Sequence, residues 1–444
     1  MLVFLKIISI LIAIVGISFI VPIITAVFCK EYECIKSFLI PLLLCLSFSF
    51  CTLIFTKKVK IFLTNRQTFL VVAATWIISS LIASVPFCFL DVRFVDALFE
   101  SVSGLTTTGA TIFTEIESLP RCINLWRCFC NWIGGMGVVT ITVALMPILG
   151  IGGFQLIKAE TTGPEKGKVT AKISTTAKVL WFLYIGLTVL EAILLKCAGM
   201  DWVDGFSHAF STLGTGGFSS RNLSISSYNS LAIEIICTVF MFLAGINFSL
   251  YFYLLTGKFR DIISNSEFKA YLGIIVFFVL AVAISLIQYY SSFSECLRYS
   301  SFQVLTIMTT TGLVTYDYLQ WPFITQALLF LLFFIGGSSG STSGGIKVIR
   351  WVILAKQVNN ETKKMLHPHG VFSIRLNGRV GRKDVVFTVS SFMFVYFLLI
   401  AITTLIGCIG KLDLVSSFTG ALSMVGNVGP AFGQLGPMGS YSDL

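Results

Sequence analysis

Charged residues are scarce in this sequence, since aspartate, glutamate, lysine and arginine together make up only 12% of its 444 residues. An average soluble domain contains about 25% of these residues, so the composition excludes an ordinary soluble protein. Hydrophobic residues make up 56% of the chain. Uncharged apolar runs of about 20 residues, the length that crosses a bilayer, occur repeatedly. We therefore predict an all-α integral membrane protein.

Histidine is also scarce, and His208, His367 and His369 are the only three in the chain. This leaves few candidates for a general base of the kind that enzymes use. No Gly-x-Gly-x-x-Gly sequence follows a predicted strand, which excludes a dinucleotide-binding fold within this chain. Cys128 and Cys130 lack a second pair of cysteine or histidine ligands, so we expect no zinc centre. We predict that the chain is not an enzyme and binds no resident cofactor, with potassium as the transported ion.

Acidic residues number 21 against 31 basic ones, which gives a formal net charge of +10. Most of the basic residues fall in alternate loops between the apolar runs, at 57–66, 158–178, 258–269 and 347–383. By the positive-inside rule these loops are cytoplasmic. The excess charge therefore reflects membrane topology, and nucleic acid is not an expected partner. We expect a multi-pass protein of the plasma membrane, embedded in the lipid bilayer, which is the inner membrane in a Gram-negative source.

One short motif, which reads Thr or Asn, any residue, then Gly, recurs four times. Its copies end at Gly109, Gly217, Gly312 and Gly429. A spacing of about 100 residues indicates a repeated domain and not a solenoid. A hydroxyl residue lies six positions before each glycine, which favours Gly217 over Gly216 as the end of the second copy. These hydroxyl residues are Ser103, Ser211, Thr306 and Ser423.

Each motif follows a short apolar segment and lies between two longer apolar runs. We predict four pseudo-repeats around one central pore, each made of a helix, a re-entrant pore helix with a filter loop, and a second helix. Residues 1–56 form two extra leading transmembrane helices, and the repeats cover residues 68–157, 177–257, 269–357 and 384–444. The closing span of the second repeat is predicted over residues 230–257. The fourth repeat lacks its closing helix, so we expect that the chain is truncated there.

Re-entrant backbone is tolerated within a bilayer only where it is buried in protein or lines water, so four such loops imply an aqueous pore. Pore helices that enter from outside direct their C-terminal ends inward, where the partial negative charge favours a cation. Rings of backbone carbonyls replace the water around potassium, and glycine permits the φ values that orient them. The alternative is that Thr and Gly only let membrane helices pack closely. The predicted potassium-binding residues are Thr107, Thr108, Gly109, Thr215, Gly216, Gly217, Thr310, Thr311, Gly312, Asn427, Val428 and Gly429.

A second unusual stretch, residues 336–345, contains five glycines inside a long apolar run. Glycine is unfavourable inside a helix, so we predict that this stretch forms a loop within the pore. Lys347 and Arg350 follow one turn apart, and they either contribute to gating or anchor the helix at the membrane interface. The same stretch matches the Gly-x-Ser-Gly of rhomboid-type intramembrane proteases, which would need a histidine nearby. The predicted gate residues are Gly336, Gly337, Ser338, Ser339, Gly340, Ser341, Thr342, Ser343, Gly344, Gly345, Lys347 and Arg350.

Acidic residues inside the predicted membrane helices are functional candidates by default. Glu191 lies four residues from the end of its apolar run. We expect it to extend to the outer edge of the membrane near Lys196, and a role as a proton or ion relay is the alternative. Glu234 lies near the start of its run and is interpreted in the same way.

Together with the four filter motifs, three further segments resemble the Trk/Ktr/HKT superfamily of cation transporters, and within it the TrkH branch of bacterial potassium-uptake subunits. They are Trp132–Gly137, Met146–Gly153 and Ile335–Lys347. The resemblance extends over nearly the whole chain. It implies potassium uptake through a channel-like pore, with residues 336–345 as an intramembrane gate. In the superfamily a serine in place of the first filter glycine accompanies sodium permeation, and this chain has glycine in all four loops.

The resemblance also implies partners. TrkH-like subunits form homodimers and bind a cytosolic ring of nucleotide-binding regulatory subunits of the TrkA type. The basic segment 356–383 is the expected docking surface, and a solvated cytoplasmic loop is the alternative interpretation. A symporter that couples potassium to sodium or protons is the alternative function.

Overall fold

A computed structural model of the chain describes residues 2–59, 65–137, 173–377, 379–380 and 384–437. In these ranges the regular structure is helical apart from one short hairpin in the basic loop, where β1 (Arg375–Leu376) pairs antiparallel with β2 (Arg379–Val380). The chain divides into two compact units. The first covers the described residues up to Cys237, and the second covers those from Thr238 onward. The predicted motif at Met146–Gly153 and the rest of the apolar run at residues 138–157 lie outside the described residues.

The first unit contains the two leading spans, the first repeat and most of the second. The leading pair is confirmed, because α1 and α2 together make one apolar span of 27 residues and α3 follows as another. In chain order the helices of this unit are α1 (Leu2–Ser18), α2 (Ile20–Phe28), α3 (Ile35–Phe55), α4 (Asn65–Cys88), α5 (Phe94–Leu105), α6 (Arg121–Gly135), α7 (Ile173–Cys197), α8 (Trp202–Gly214) and the first half of α9 (Leu231–Ala244).

The second unit contains the end of the second repeat, the third repeat and the fourth. After the second half of α9 its helices are α10 (Phe248–Leu255), α11 (Phe259–Ile263), α12 (Ser266–Ser285), α13 (Phe293–Met308), α14 (Phe323–Leu332), α15 (Val348–Leu366), α16 (Asp384–Ile409) and α17 (Leu414–Gly426). Among the described residues, six helices are long and apolar enough to cross a membrane, or seven if the bent pair α9 and α10 counts as one span.

Four short helices precede the four motifs, as the sequence predicts. α5, α8, α13 and α17 have 12, 13, 16 and 13 residues, fewer than the roughly 20 that a membrane crossing needs. Side-chain oxygens cap three of them at the N-terminus. Asp201 accepts from the Asp204 amide of α8, Ser292 from the Glu295 amide of α13, and Asp413 from the Ser416 amide of α17. Each helix then ends where its filter loop begins.

The closing span of the second repeat, predicted over residues 230–257, is bent in the structure. α9 ends at Ala244, and α10 begins at Phe248 after a bend of 93°. The segment between them contains Gly245 and Asn247, and the Asn247 side chain caps α10 by accepting from the Ser249 amide. A glycine followed by a capping asparagine is a break signal, but the apolar composition on both sides concealed it.

Glu191 corrects a second expectation. Its side chain is fully buried in the first unit, near Thr212 of α8, so it does not extend to the outer edge beside Lys196. Glu234 in α9 is buried as well. The apolar run around Glu191 shows where the helix lies along its axis and not which face points inward. The relay role of Glu191 stays a hypothesis.

A short 3-10 turn follows every filter loop, and these turns give a test of topology. They lie at Ile116–Ser118, Ser224–Tyr228, Tyr318–Gln320 and Gly433–Leu435. We expect Ser118→Cys and Gln320→Cys, both at exposed positions, to react with an impermeant thiol reagent on intact cells. Lys363→Cys, exposed in the basic segment, is the matched control and should react only after permeabilisation. Peptide mass spectrometry locates the label among the native cysteines, and the opposite pattern would reverse the topology.

Candidate ion-selectivity filter and gate

The four filter loops share one backbone conformation. Two residues before each glycine the chain enters the left-handed region, with φ values of 58° at Thr107, 52° at Thr215, 55° at Thr310 and 57° at Asn427. The glycines themselves also have positive φ, at 77° for Gly109, 77° for Gly217, 78° for Gly312 and 94° for Gly429. Among the amino acids, only glycine readily adopts φ values of this size. The same pattern at Gly217 confirms the frame that the sequence favours for the second copy.

The hydroxyl residue six positions before each glycine has a structural role. Ser103 donates to the carbonyl of Ala110 at 2.5 Å, Thr306 to that of Leu313 at 2.8 Å, and Ser423 to that of Pro430 at 2.7 Å. Each bond therefore ties the pore helix to the residue just after the glycine. The recurrence in the sequence reflects this bond.

The second loop departs from this arrangement. The hydroxyl of Ser211 accepts a hydrogen bond from the side-chain amide of Asn131 in α6, at 3.0 Å. The carbonyl of Phe218 accepts a hydrogen bond from the thiol of Cys128 instead. In all four loops the backbone carbonyl of the hydroxyl residue still accepts from the amide one position before the glycine. These distances are 2.9 Å for Thr108, 2.9 Å for Gly216, 2.8 Å for Thr311 and 2.9 Å for Val428.

Within each unit the filter loops contact each other in pairs. In the first unit a Cβ added at Gly109 would collide with the carbonyl oxygen of Gly216, and in the second unit a Cβ at Gly312 would collide with that of Val428. The carbonyl one position before the glycine thus lies against the neighbouring loop in both pairs. Any side chain at Gly109 or Gly312 would displace a carbonyl that is predicted to line the filter.

Threonine hydroxyls stiffen one loop of each pair. Thr106 and Thr108 lie 2.8 Å apart at their hydroxyl oxygens, and Thr309 and Thr311 lie 2.7 Å apart. The first residue of each pair also donates to a carbonyl one turn earlier in its pore helix. The second and fourth loops have no hydroxyl at these positions. Each unit therefore combines one threonine-rich loop with one that lacks this bond.

The Trp132–Gly137 motif supports the first pair of loops from behind. A Cβ at Gly134 would collide with the carbonyl of Leu105, and one at Gly135 would lie 2.7 Å from the Cα of Gly214. Since both loops pack directly on the backbone of α6, the paired glycines are needed for close approach. The side chain of Asn131 fills the space behind Gly216. A side chain on either glycine would push α6 away from the filter.

A buried ion pair crosses the first unit beside these loops. Glu100 in α5 and Arg127 in α6 are both fully buried, with 2.7 Å between Oε1 and Nε. Arg127 also donates to the hydroxyl of Thr111 at 2.9 Å and to the carbonyl of Ser219 at 3.2 Å, and its guanidinium lies 4.4 Å from the centre of the Phe218 ring. One arginine therefore binds the segments that follow both filter glycines.

The predicted gate at residues 336–345 is a loop in the structure. α14 ends at Leu332 and α15 begins at Val348, so the non-helical segment extends a few residues beyond the glycine run at both ends. The loop closes on itself through a bond from the Gly336 amide to the Ile346 carbonyl at 2.9 Å. At the other end the Gly344 amide donates to the hydroxyl of Thr310 at 2.6 Å. The loop therefore contacts the third filter loop directly.

Glycine is required at the point where the gate loop contacts the fourth filter loop. A Cβ at Gly344 would lie 2.5 Å from the carbonyl of Gly426 and 2.8 Å from the Cβ of Asn427. Gly336 and Gly344 also contact each other within the loop. Gly344 therefore has the same role in the second unit as Gly134 and Gly135 have in the first, since each allows close contact with a filter loop. A bulky residue at Gly344 could not fit without shifting a filter residue.

The two basic residues after the gate loop have different surroundings. Lys347 is buried, and its ammonium group donates to the carbonyl of Ser343 within the loop. Arg350 is partly buried, with its guanidinium carbon 3.5 Å from the centre of the Phe392 ring of α16. Lys347 is therefore part of the loop, whereas Arg350 contacts the neighbouring span.

The protease alternative requires a histidine beside Ser338 or Ser339. Both ring nitrogens of His208 bond within the first unit, to the carbonyl of Asp204 at 2.8 Å and the hydroxyl of Ser219 at 2.9 Å. His367 and His369 follow α15, whose 19 residues extend about 28 Å at 1.5 Å per residue. This geometry does not support the protease.

A family model of cation transport proteins, named TrkH, matches this chain over residues 34–288 and 270–441. The chain belongs to the TrkH family. It is 38% identical over 386 residues to the Trk system potassium uptake protein TrkH of Escherichia coli strain K12, covering 85% of this chain and 80% of that protein. It is 37% identical over 383 residues to the protein of the same name from Vibrio parahaemolyticus, with coverage of 84% and 79%.

A solved structure agrees with this assignment. The crystal structure of the potassium transporter TrkH from Vibrio parahaemolyticus superposes with a TM-score of 0.86 at 32% identity, covering 100% of this chain and 92% of that one. Membership of the TrkH family confirms the resemblance that the sequence motifs indicate. It also confirms a multi-pass membrane protein with this helical architecture.

Three charged residues of this TrkH-family chain went unnoticed at the sequence level. Glu100 lies inside a pore helix, Arg127 inside an apolar run, and Glu267 in the first turn of α12. A charge inside a membrane segment was the available signal. This signal could not show which residue each charged side chain would bind.

The Glu100–Arg127 pair gives a testable effect on stability. Glu100→Gln should destabilise the protein by about 3–5 kcal/mol, because it leaves the Arg127 guanidinium buried without its counter-charge. Thermal unfolding of the purified protein in detergent measures the effect. The matched control is Asp96→Asn, which breaks the exposed pair with Arg93 in the same pore helix and should change little. Equal effects of the two substitutions would contradict the prediction.

Proposed function

We propose that this protein takes up potassium across the plasma membrane through a channel-like pore, and that its four filter loops act together as the selectivity filter. The observation that carries the proposal is the repeated backbone conformation, with positive φ at the Thr or Asn and at the glycine in all four loops. This alternation turns successive carbonyl groups in one direction, which is how carbonyl oxygens replace the hydration shell of a cation.

The residues that would bind potassium are those the sequence singles out. Their backbone carbonyls supply oxygen ligands without introducing a net charge, which suits a weakly held monovalent ion that must also leave. The four short helices support the same role, since each directs its C-terminal end, with its partial negative charge, at its own loop. Glycine at all four motif positions favours potassium over sodium. The Escherichia coli relative is itself named a potassium uptake protein, in line with this choice of ion.

Residues 336–345 are proposed as the gate of this pore. The contacts of Gly344 with Thr310 and Asn427 support this role, because they link the loop to two filter loops of its unit. Glycine and serine keep the segment from continuing as a helix. Lys347 contributes by holding the carbonyl of Ser343, and Arg350 by fixing the start of α15 against α16.

A cytosolic partner is also proposed. α15 extends from the gate into the basic segment, and at its end Met365 and Leu366 are 81% and 72% exposed beside Lys363 and Lys364. An exposed apolar pair flanked by lysines suits docking of an acidic regulatory subunit. A nucleotide-binding subunit of the TrkA type and a homodimer of this chain are the proposed assembly.

The reversal potential of the purified protein in liposomes tests the proposed function. With opposed potassium and sodium gradients, a passive potassium pore should reverse close to the potassium equilibrium potential. A symporter would shift that value with the gradient of the coupled ion, so repeating the measurement with a proton gradient separates the two mechanisms. Absence of potassium current in vesicles that contain folded protein would contradict the proposal.

A further inference from the structure

Glu267 lies in the second unit, in the first turn of α12, and it is buried with 6% of its surface exposed. Its backbone is fixed because Asn265 caps the helix, accepting from the amides of Glu267 and Phe268 at 2.9 Å. The filter and gate motifs do not include it. Its carboxylate faces the gate loop.

One carboxylate oxygen of Glu267 links the gate loop to the start of α15. Oε1 accepts from the amide of Ser339, in the middle of the loop, at 2.6 Å, and from the amide of Ile349, in the first turn of α15, at 3.2 Å. An anion at the N-terminus of a helix is stabilised by the unpaired amides and the helix dipole. Bonds to a charged acceptor are also stronger than those between neutral groups.

The opposite side of the loop is held by two backbone bonds and by the hydroxyl of Thr342, which donates to the carbonyl of Ala244 at 3.3 Å. The Ser338 amide donates to the carbonyl of Gly245 at 2.9 Å, and the Phe248 amide donates to the carbonyl of Gly340 at 3.0 Å. Gly245 lies in the break between α9 and α10, and Phe248 is the first residue of α10. Substitution of Glu267 would therefore remove one anchor of the loop and leave this second anchor in place.

We propose that Glu267 is a positioning residue that holds the gate loop in its blocking position by fixing Ser339 to the start of α15. This inference rests on the proposed role of residues 336–345 as the gate. Opening requires the loop to move away from the filter loops, and the Ser339 amide cannot move far while it is bonded to Glu267. Release of this bond is then part of opening.

The test compares potassium flux into liposomes for three variants. Glu267→Ala should raise flux by about tenfold or more, because the loss of charge-assisted bonds shifts the gate toward its open state, and the potassium-to-sodium ratio should stay unchanged. Glu267→Gln keeps an acceptor oxygen without the charge and should lie between the wild type and Glu267→Ala. Asp261→Ala is the matched control, because it removes an exposed carboxylate from α11 of the same unit and should have no effect.

Deleting residues 337–343 separates failure of this inference from failure of the gate. If the deletion raises flux and neither Glu267 variant does, the gate stands and the role of Glu267 is wrong. If none of them raises flux, the gate itself is wrong. In the deletion background Glu267→Ala should add nothing, since its target is gone. Loss of folding in both Glu267 variants, or reduced flux without the intermediate value for Gln, would overturn the inference in favour of a purely structural residue.

Discussion

Gly109→Ser is expected to raise sodium permeation relative to potassium. At this position φ is +77°, which disfavours any side chain, and the new Cβ would collide with the carbonyl of Gly216. That carbonyl must then move, and it is one of the proposed potassium ligands. A loss of about 1.4 kcal/mol of preference would reduce the permeability ratio by about tenfold.

The reversal potential with potassium and sodium on opposite sides of the membrane measures this ratio. Gly186→Ser is the matched control, since it lies in α7, and a Cβ there meets nothing within 4 Å. Gly312→Ser should reproduce the effect in the second unit, where the added Cβ collides with the carbonyl of Val428 and φ is +78°. A permeability ratio that is unchanged in both filter variants would refute the assignment of these loops as the filter.

Deletion of residues 337–343 is expected to increase potassium flux strongly with little change in selectivity. In the proposed mechanism the loop occludes the pore, and the filter carbonyls set the ion preference. If the open state of the gate is populated at about 1–10%, removing the obstruction raises flux by about 10-fold to 100-fold. The deletion is structurally feasible, because it joins Gly336 to Gly344 and these residues already contact each other.

Flux and reversal potential measured on the same liposome preparation separate the two properties. Gly273→Ser, on a face of α12 where a Cβ meets nothing within 4 Å, serves as the control for a change elsewhere in the second unit. A folded deletion variant that passes potassium no faster than the parent would contradict the gate. The glycine and serine run would then be explained by close packing alone.

The repeat could be recognised from the sequence because its signals are local. The glycine at the end of each motif and the hydroxyl six residues earlier are separated by less than two helical turns. In the structure they are joined by the bond from Ser103 to Ala110 and its equivalents at Thr306 and Ser423. The choice of Gly217 over Gly216 depended on this spacing, and the φ values confirm it.

Other features could not be predicted because the outer surface of a membrane helix is apolar. In a soluble helix, a polar face shows which side is exposed. In α7 the polar side chains of Tyr184, Thr188 and Glu191 share the buried face, which reverses the pattern of a soluble helix, and the expected position of Glu191 at the membrane edge was therefore wrong. The break at Gly245 was missed for a related reason, since hydropathy reports the length of an apolar run and not its continuity as a helix.

By itself the sequence determined the membrane location, the four repeats, the frame of the four glycine motifs and the position of the glycine-rich loop at 336–345. These depend on composition, run length and short spacings, which the bilayer and the backbone constrain directly. Only the tertiary structure decided that Arg127 pairs with Glu100, that Gly134 lies against Leu105 and that Glu267 binds Ser339. Each of these contacts joins residues that are distant in the chain, and it depends on how the helices rotate and pack, which a uniformly apolar surface leaves unspecified.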